Sequence, residues 1–508
     1  ASLTKLLSTK SNIVLSDDDI PPQVYDGNIW VEDTNLAIFN YKLNQEKLNY
    51  GTKYTFKLSK NISNKDGKET LKEDYTATFV TKEAFEGKGT QDSPFLIFNR
   101  QDLANIGSKK YIDKDYYFKI MNDIDGDGQN SAWIPLGDDY TPFKGHIYGN
   151  NKILSNFCMD IVKDRDYDNI GLFNNISDST IENLTIANSI VCGKTNIGLL
   201  TSICKSSSLT NIKAIDCQIK CISDRQSQEE NGNNGGLIGK GLGVTLTKCF
   251  FECKDESLIL FGGSQKNTGG LVGLLDEASK LEDCHVIVPY STDDSMVIGI
   301  QGSQNVGGIV GLCNDSNIIK CSFTGNITTQ GGVNVGGIIG MQYNSKTFGT
   351  TSITYCSSEK AKIKGTNAVG GIVGSSRNYN IECCKSKAMV NSSKMAGGIV
   401  GEAVTTNIYD CYSLEDIVES NAIDVGGIAG MICGGSQINH CYSTNQIRGT
   451  DNVGGICGAA SDNSEIKGVI ALNPEIKGSD ATDKTTIHKI LGIKDKNVNL
   501  VISSIYSL

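Results

Sequence analysis

No stretch of this chain approaches the roughly 18 consecutive apolar residues of a membrane-spanning helix. No 3.6-residue apolar periodicity is sustained either, so amphipathic helices do not organise it. Basic charge is in deficit. There are 47 Lys and Arg against 57 Asp and Glu, a net charge of −10 and a pI of about 5.1, which disfavours nucleic acid and anionic lipid as partners. Histidine is scarce: His146, His285, His440 and His488 are dispersed and form no HExxH pair, and no GxSxG is present. Zinc-protease and nucleophile-elbow chemistry therefore lack their motifs. The chain opens Ala1-Ser2-Leu3 without an initiator Met or a signal peptide. A mature or trimmed chain is the expected explanation, so the missing signal does not argue for a cytoplasmic home.

Glycine and cysteine are abundant instead, at 56 and 17 residues. The glycines recur in a phrase of Gly-Gly, an aliphatic residue, any residue and Gly. Its second glycines are Gly236, Gly270, Gly308, Gly337, Gly371, Gly398, Gly427 and Gly455, with weaker copies at Gly171 and Gly198. Separations of 27 to 38 residues mark a repeat architecture in which each unit buries its apolar face against its neighbours.

An aliphatic residue and, three positions on, a cysteine follow most anchors: Leu246/Cys249, Leu281/Cys284, Ile318/Cys321, Ile353/Cys356, Ile381/Cys384, Ile408/Cys411 and Ile438/Cys441. The last copy places Gly468 at the cysteine spacing. Short β-type runs alternate with Gly, Asn, Ser, Thr and Asp, the turn formers, and none is long enough for a helix. Three short strands per turn of about 28 residues predict an all-β chain, a right-handed parallel β-helix with three faces. Ten coils at the usual strand spacing give roughly 48 Å of length. The recurrent cysteines are expected to stack in the interior as reduced thiols, about 4.8 Å apart. Cys217/Cys221 and Cys249/Cys253 share a face but lie about 13 Å apart, too far for a disulfide or a shared zinc ion.

The phrases Gly236-Leu237-Ile238-Gly239 and Gly270-Leu271-Val272-Gly273 resemble the GLUG motif family of bacterial surface proteins, the other copies carrying Ile for Leu. The leader also fits, in Gly89 to Ile97, Asn122 to Asp125, Trp133 to Gly137 and Phe143 to Asn150, so the resemblance covers roughly residues 85 to 500. It implies the solenoid architecture and a cell-surface or extracellular setting. That family includes adhesin-like proteins and regions attached to immunoglobulin A proteases.

Residues 1–82 differ in kind. Tyr54, Phe56 and Leu58 lie on one face of a strand, Tyr75, Ala77 and Phe79 on one face of another, and Asn61 to Gly67 reads as the turn between them. This segment resembles a bacterial immunoglobulin-like domain, which implies a small β-sandwich acting as a spacer, although its usual opening strand and proline are not obvious. Residues 83–160 form the linker, a short capping helix over Asn99 to Ile106, and the first coils. Residues 161–478 carry the repeats, and 479–508 are expected to leave the pattern and close the last coil.

Three groups of residues invite a functional reading. Asp123, Asp125 and Asp127 alternate with Gly126 and Gly128 as in a Ca²⁺ loop, but Ile134 stands where an EF-hand needs Glu, and a hydrogen-bonded turn is the competing account. Asp216, Asp283 and Asp410 each precede a cysteine, as though pointing outward along one face. Tyr412 and Tyr442 follow cysteines in consecutive units, where they could stack beneath a sugar ring or simply pack across coils. The chain reads as a non-catalytic, adhesin-like surface protein, a monomer without cofactor, contacting a host or environmental glycan or protein. A polysaccharide lyase or glycosidase built on a β-helix is the alternative, and a purely structural spacer a third.

Overall fold

In the computed structural model the chain divides into two compact units, 1–87 and 88–508. Described are residues 72–128, 132–159, 169–221, 232–254, 266–293, 298–329, 331–344, 351–414 and 421–478, with separate segments at 13–17, 23–24, 30–31, 37–38, 51, 53–58, 60, 260–261, 418–419, 486–494, 501–503 and 506–507. The turn expected at 61–67 lies outside them.

In the first unit, an antiparallel sheet joins Gln23–Val24, Ile13–Asp17, Lys53–Leu58 and Tyr75–Val80 in that order, and Trp30–Val31 pairs with Ala37–Ile38. Tyr54 faces Phe79 in register, with ring centroids 5.7 Å apart. Ile13–Asp17 pairs antiparallel with Lys53–Leu58, Leu15 facing Phe56 in register.

The second unit is a parallel β-helix. One coil shows the plan. Asn305–Gly307 lies on the first face, Val310–Asn314 on the second, and Asn317–Ile319 with Ser322–Thr328 on the third. The first and second faces are parallel columns of 11 strands each. Along every strand, residues facing the interior alternate with residues facing out. Ahead of the repeats, α1 (Arg100–Asn105) is capped by Asn99, whose side chain accepts from the Asp102 amide at 3.0 Å, and it buries Leu103. This is the helix expected from Asn99.

Close approach, and not turn conformation, explains the glycine phrase: none of the eight second glycines has a positive φ. A Cβ on Gly236, Gly270, Gly308, Gly337, Gly371, Gly398 or Gly427 would fall on the carbonyl oxygen of the second glycine in the next coil. Gly455 meets Lys489 in the same way. Across the interior from this column stand Phe251, Val286 and Phe323, then Ser358, Ser386, Ser413 and Ser443. Backbone packs on backbone at this corner, and any side chain would push the coils apart.

The seven recurrent cysteines, Cys249, Cys284, Cys321, Cys356, Cys384, Cys411 and Cys441, are buried and unbridged. Their Sγ atoms lie within weak hydrogen-bonding range of strand carbonyls, for example Cys384 to Ile353 at 3.6 Å. Register moves one expectation. Asn439 faces Lys467, which puts Val469 in the cysteine column and Gly468 opposite His440. The insertion that lengthens the Cys356 unit falls between Ile339–Tyr343 and Ser352–Thr354, at a corner, and leaves the register intact.

Two features have no counterpart in the sequence reading. The first is an asparagine ladder on the first face. Asn196, Asn233, Asn267, Asn305 and Asn334 each donate Nδ2 to the Oδ1 of the asparagine one coil earlier, beginning at Asn169, at 2.7–2.8 Å. The second concerns the described strands within residues 479–508, which stay in the repeat. Thr486–His488, Leu491–Lys494, Val501–Ser503 and Tyr506–Ser507 pair in parallel with the preceding coil and make an eleventh. Here His488 and Lys489 stand in the places of Gly454 and Gly455, which disguised the repeat.

Candidate binding face

The third face bends sharply once per coil, at a residue in the left-handed backbone region. In successive coils these residues are Lys248, Asp283, Lys320, Tyr355, Cys383, Asp410, His440 and Gly468, with φ between 52° and 57°. Short polar side chains tolerate this region best, yet Lys, Tyr, Cys and His occupy it too. The bend is therefore imposed by packing on both sides, and the side chain at its apex is left to face outward.

Asp283 and Asp410 belong to this ridge, four coils apart, or about 19 Å at the usual strand spacing. Asp216 does not. Its φ of 50° places it at the following bend, in a column with Asn156 and Asn188, and its amide donates to Glu252 O at 2.8 Å. The three aspartates thus do not line one face, because two different corners of the coil both put a left-handed residue just before a buried cysteine. Asp283 and Asp410 stand well beyond the roughly 5–10 Å that separates a pair of glycosidase carboxylates.

Around Asp410 the ridge becomes richer. Tyr412 and Tyr442 are register partners whose rings are parallel within 7° at a centroid distance of 5.0 Å. The two facing ring surfaces cover each other, and both side chains remain half-buried. Lys385 precedes them in the column and Ile470 follows. Asp410 Oδ1 lies 3.7 Å from His440 Nδ1. Tyr409 pairs with Glu382, and Tyr355, one coil earlier than Cys383, is 63% exposed. Four tyrosines, one Asp–His pair and one Lys385–Glu359 ion pair thus gather within four consecutive coils. The sequence reading found Tyr412 and Tyr442 but missed Tyr355 and Tyr409; Tyr355 could have been found as the residue just before Cys356.

A related grouping sits earlier on the same face. His285 Nε2 lies 3.1 Å from Asp283 Oδ1 and its Nδ1 lies 2.6 Å from Ser322 Oγ, while the ring leans on Phe250 at 5.1 Å.

The carboxylates of the Ca²⁺-like stretch are spent separately. Asp123 Oδ1 accepts from the Ile153 amide at 3.0 Å. Asp125 Oδ1 accepts from the Asp127 amide at 2.9 Å and from Asn156 Nδ2 at 3.3 Å. With Asp127 at φ 66° and Gly128 at φ 57°, this is a hydrogen-bonded turn. Among the described residues no three His, Cys, Asp or Glu side chains gather as a metal site, and no helix is long and apolar enough to cross a membrane.

No family model matches the chain. Over 105 residues, 20% of its length, it is 33% identical to a provisionally named Gly-rich membrane protein of Evansella cellulosilytica. Over 119 residues, 23% of its length, it is 30% identical to Halomucin of Haloquadratum walsbyi. These matches span only 12% and 1% of the two relatives. Among solved structures, a provisionally assigned immunoglobulin A1 protease from Bacteroides ovatus aligns with 68% of this chain and 87% of its own, at 17% identity and a TM-score of 0.37.

Proposed function

We propose that the β-helix is a non-catalytic binding scaffold of a bacterial cell-surface or extracellular protein, presenting its third face to a glycan or protein ligand. The observation that carries this reading is the Tyr412–Tyr442 stack beside the Asp410–His440 pair. Two stacked aromatic rings, one carboxylate and one imidazole gather there in adjacent coils on a backbone that the glycine column holds in place. Each group contributes weakly, and their alignment at one strand spacing permits several contacts at once with a ligand that is itself repetitive. The local similarity to a Gly-rich membrane protein and to Halomucin supports the surface setting.

Glycan-array binding by the full chain, set beside a reducing-end release assay on the bound glycans, tests the reading. Binding without release is expected, weakened by about tenfold or more in the Tyr412→Ala/Tyr442→Ala variant, a loss of about 1.4 kcal/mol. Release of reducing ends would replace the reading with a carbohydrate-active enzyme. Binding indifferent to the double substitution would remove the third face from it.

A further inference from the structure

The second unit carries a built cleft at its other end, away from the tyrosine ridge. Leu136 bridges to Phe173 and Phe143 to Ile176, so this stretch occupies the rung before the first full strand of the second face, Phe173–Ser177. Between the two bridges the chain bulges outward as a tight loop. Gly137 adopts φ 78°, and Asp138 Oδ1 accepts from the amides of Tyr140 and Thr141 and from Thr141 Oγ1 at 2.7–2.9 Å. These donors hold its carboxyl below the usual carboxylate range. The buried ring of Phe143, 4.9 Å from Phe173, anchors the far end. This rigid loop holds the Tyr140 side chain 95% exposed.

Under the loop lies a cleft of about 340 Å³, within the size range of small-molecule sites. Asn175, only 7% exposed, donates Nδ2 to Asp139 Oδ1 at 2.6 Å, and its own Oδ1 has no partner. An orphaned buried acceptor is costly, and this one lines the cleft. Asp113, Asp139, Lys144 and Lys205 line it in equal numbers of each sign, with Lys144 Nζ 3.9 Å from Asp178 Oδ2 and Lys114 Nζ 3.2 Å from Asp113 Oδ1, so the formal charge along the wall cancels. Pro142, Ile176 and Ile203 add apolar wall. Balanced charge selects against an anion or a cation. Donors and acceptors in equal supply, an apolar wall and an exposed ring at the rim suit a molecule that offers hydroxyl groups along one edge and C–H bonds on its face.

We propose that this cleft binds a neutral saccharide unit, with Tyr140 closing over the sugar face and Asp139, Lys144 and Lys205 engaging its hydroxyls. The site is distinct from the tyrosine ridge and stands or falls without it.

The test is saturation-transfer NMR and calorimetry of the full chain with glucose, galactose, mannose, N-acetylglucosamine, glucuronate and inorganic phosphate. At least one neutral sugar is expected to bind saturably. Tyr140→Ala should weaken it by about tenfold or more while leaving the thermal midpoint unchanged, and Lys205→Ala should weaken it with the same fold retained. The Tyr412→Ala/Tyr442→Ala variant should bind the sugar as the parent does. Undiminished binding by Tyr140→Ala, tighter binding of glucuronate or phosphate, or no saturation by any neutral sugar would overturn the proposal. None of these results touches the ridge, whose own test reads glycan-array binding in the other variant.

Discussion

The carbonyl oxygen of Gly337 occupies the space in which a side chain on Gly308 would begin. The relation repeats from Gly236 to Gly455 and makes the glycine column a contact surface between coils.

Gly308→Ala is accordingly expected to cost about 2–4 kcal/mol, because the backbone itself must move. Gly435→Ala is the control. Its φ of 77° is strained for alanine, but nothing lies within 4 Å of the new Cβ, so a loss of about 1 kcal/mol is expected. Urea midpoints of the two variants check the contrast, and equal losses would contradict it.

Asn234 should be improvable. It stands between Ile197 and Thr268 in a column of inward residues, 2% exposed, with both amide atoms unpartnered. Asn234→Val removes two unsatisfied buried groups and is expected to stabilise by about 1–3 kcal/mol. A raised denaturation midpoint checks this; a lowered one would mean the amide is satisfied in solution.

Asp424 gives a pH dependence. Burial raises its pKa, opposed by the hydrogen bond from Asn452 Nδ2 at 2.7 Å and by Lys394, and assisted by Asp451. A raised folded-state pKa means that the stabilising contribution is complete below the unfolded value and is lost as pH rises through the folded one. The half-buried carboxylate is thus costlier to hold ionised in the folded protein than in the unfolded chain. Asp424→Asn keeps the acceptor for Asn452 and should stabilise at pH 7, with the gain shrinking as the solution is acidified through the carboxylate range. Thermal midpoints across pH check the sign.

The thiols should react in two classes. Cys221, Cys383 and Cys433 are partly exposed, and the other 14 of the 17 cysteines are buried. Burial pushes Cys204, Cys217 and Cys313 up to about 12, so thiolate is scarce there at any ordinary pH. A thiol reagent should titrate about three groups quickly in the native protein and all 17 in denaturant. A shortfall in denaturant would reveal disulfides.

How much of this was legible beforehand depended on what each residue's position required. The glycine phrase and the cysteine spacing are dictated by packing in every coil, so the fold showed through them. The eleventh coil did not, because His488-Lys489 replaced the glycine pair on which the reading was anchored, although Gly492 kept its place, where a Cβ would fall 2.5 Å from Gly458 O. The candidate face was harder still. Placing Asp216 with Asp283 and Asp410 assumed one corner per cysteine, whereas the coil has two left-handed bends that look alike locally. Tyr355 and Tyr409 joined Tyr412 and Tyr442 only once register was known, since insertions between coils erase the spacing that would have aligned them.

The asparagine amides of the first face all donate in one sense, toward the first coil, and each polarises the next. The seam from Asn169 to Asn334 is consequently an electric filament with a sign. Its amino end faces the leader, and its carbonyl end stops against Ala368, where a side chain able to give a proton would prolong it and an acid would be repelled.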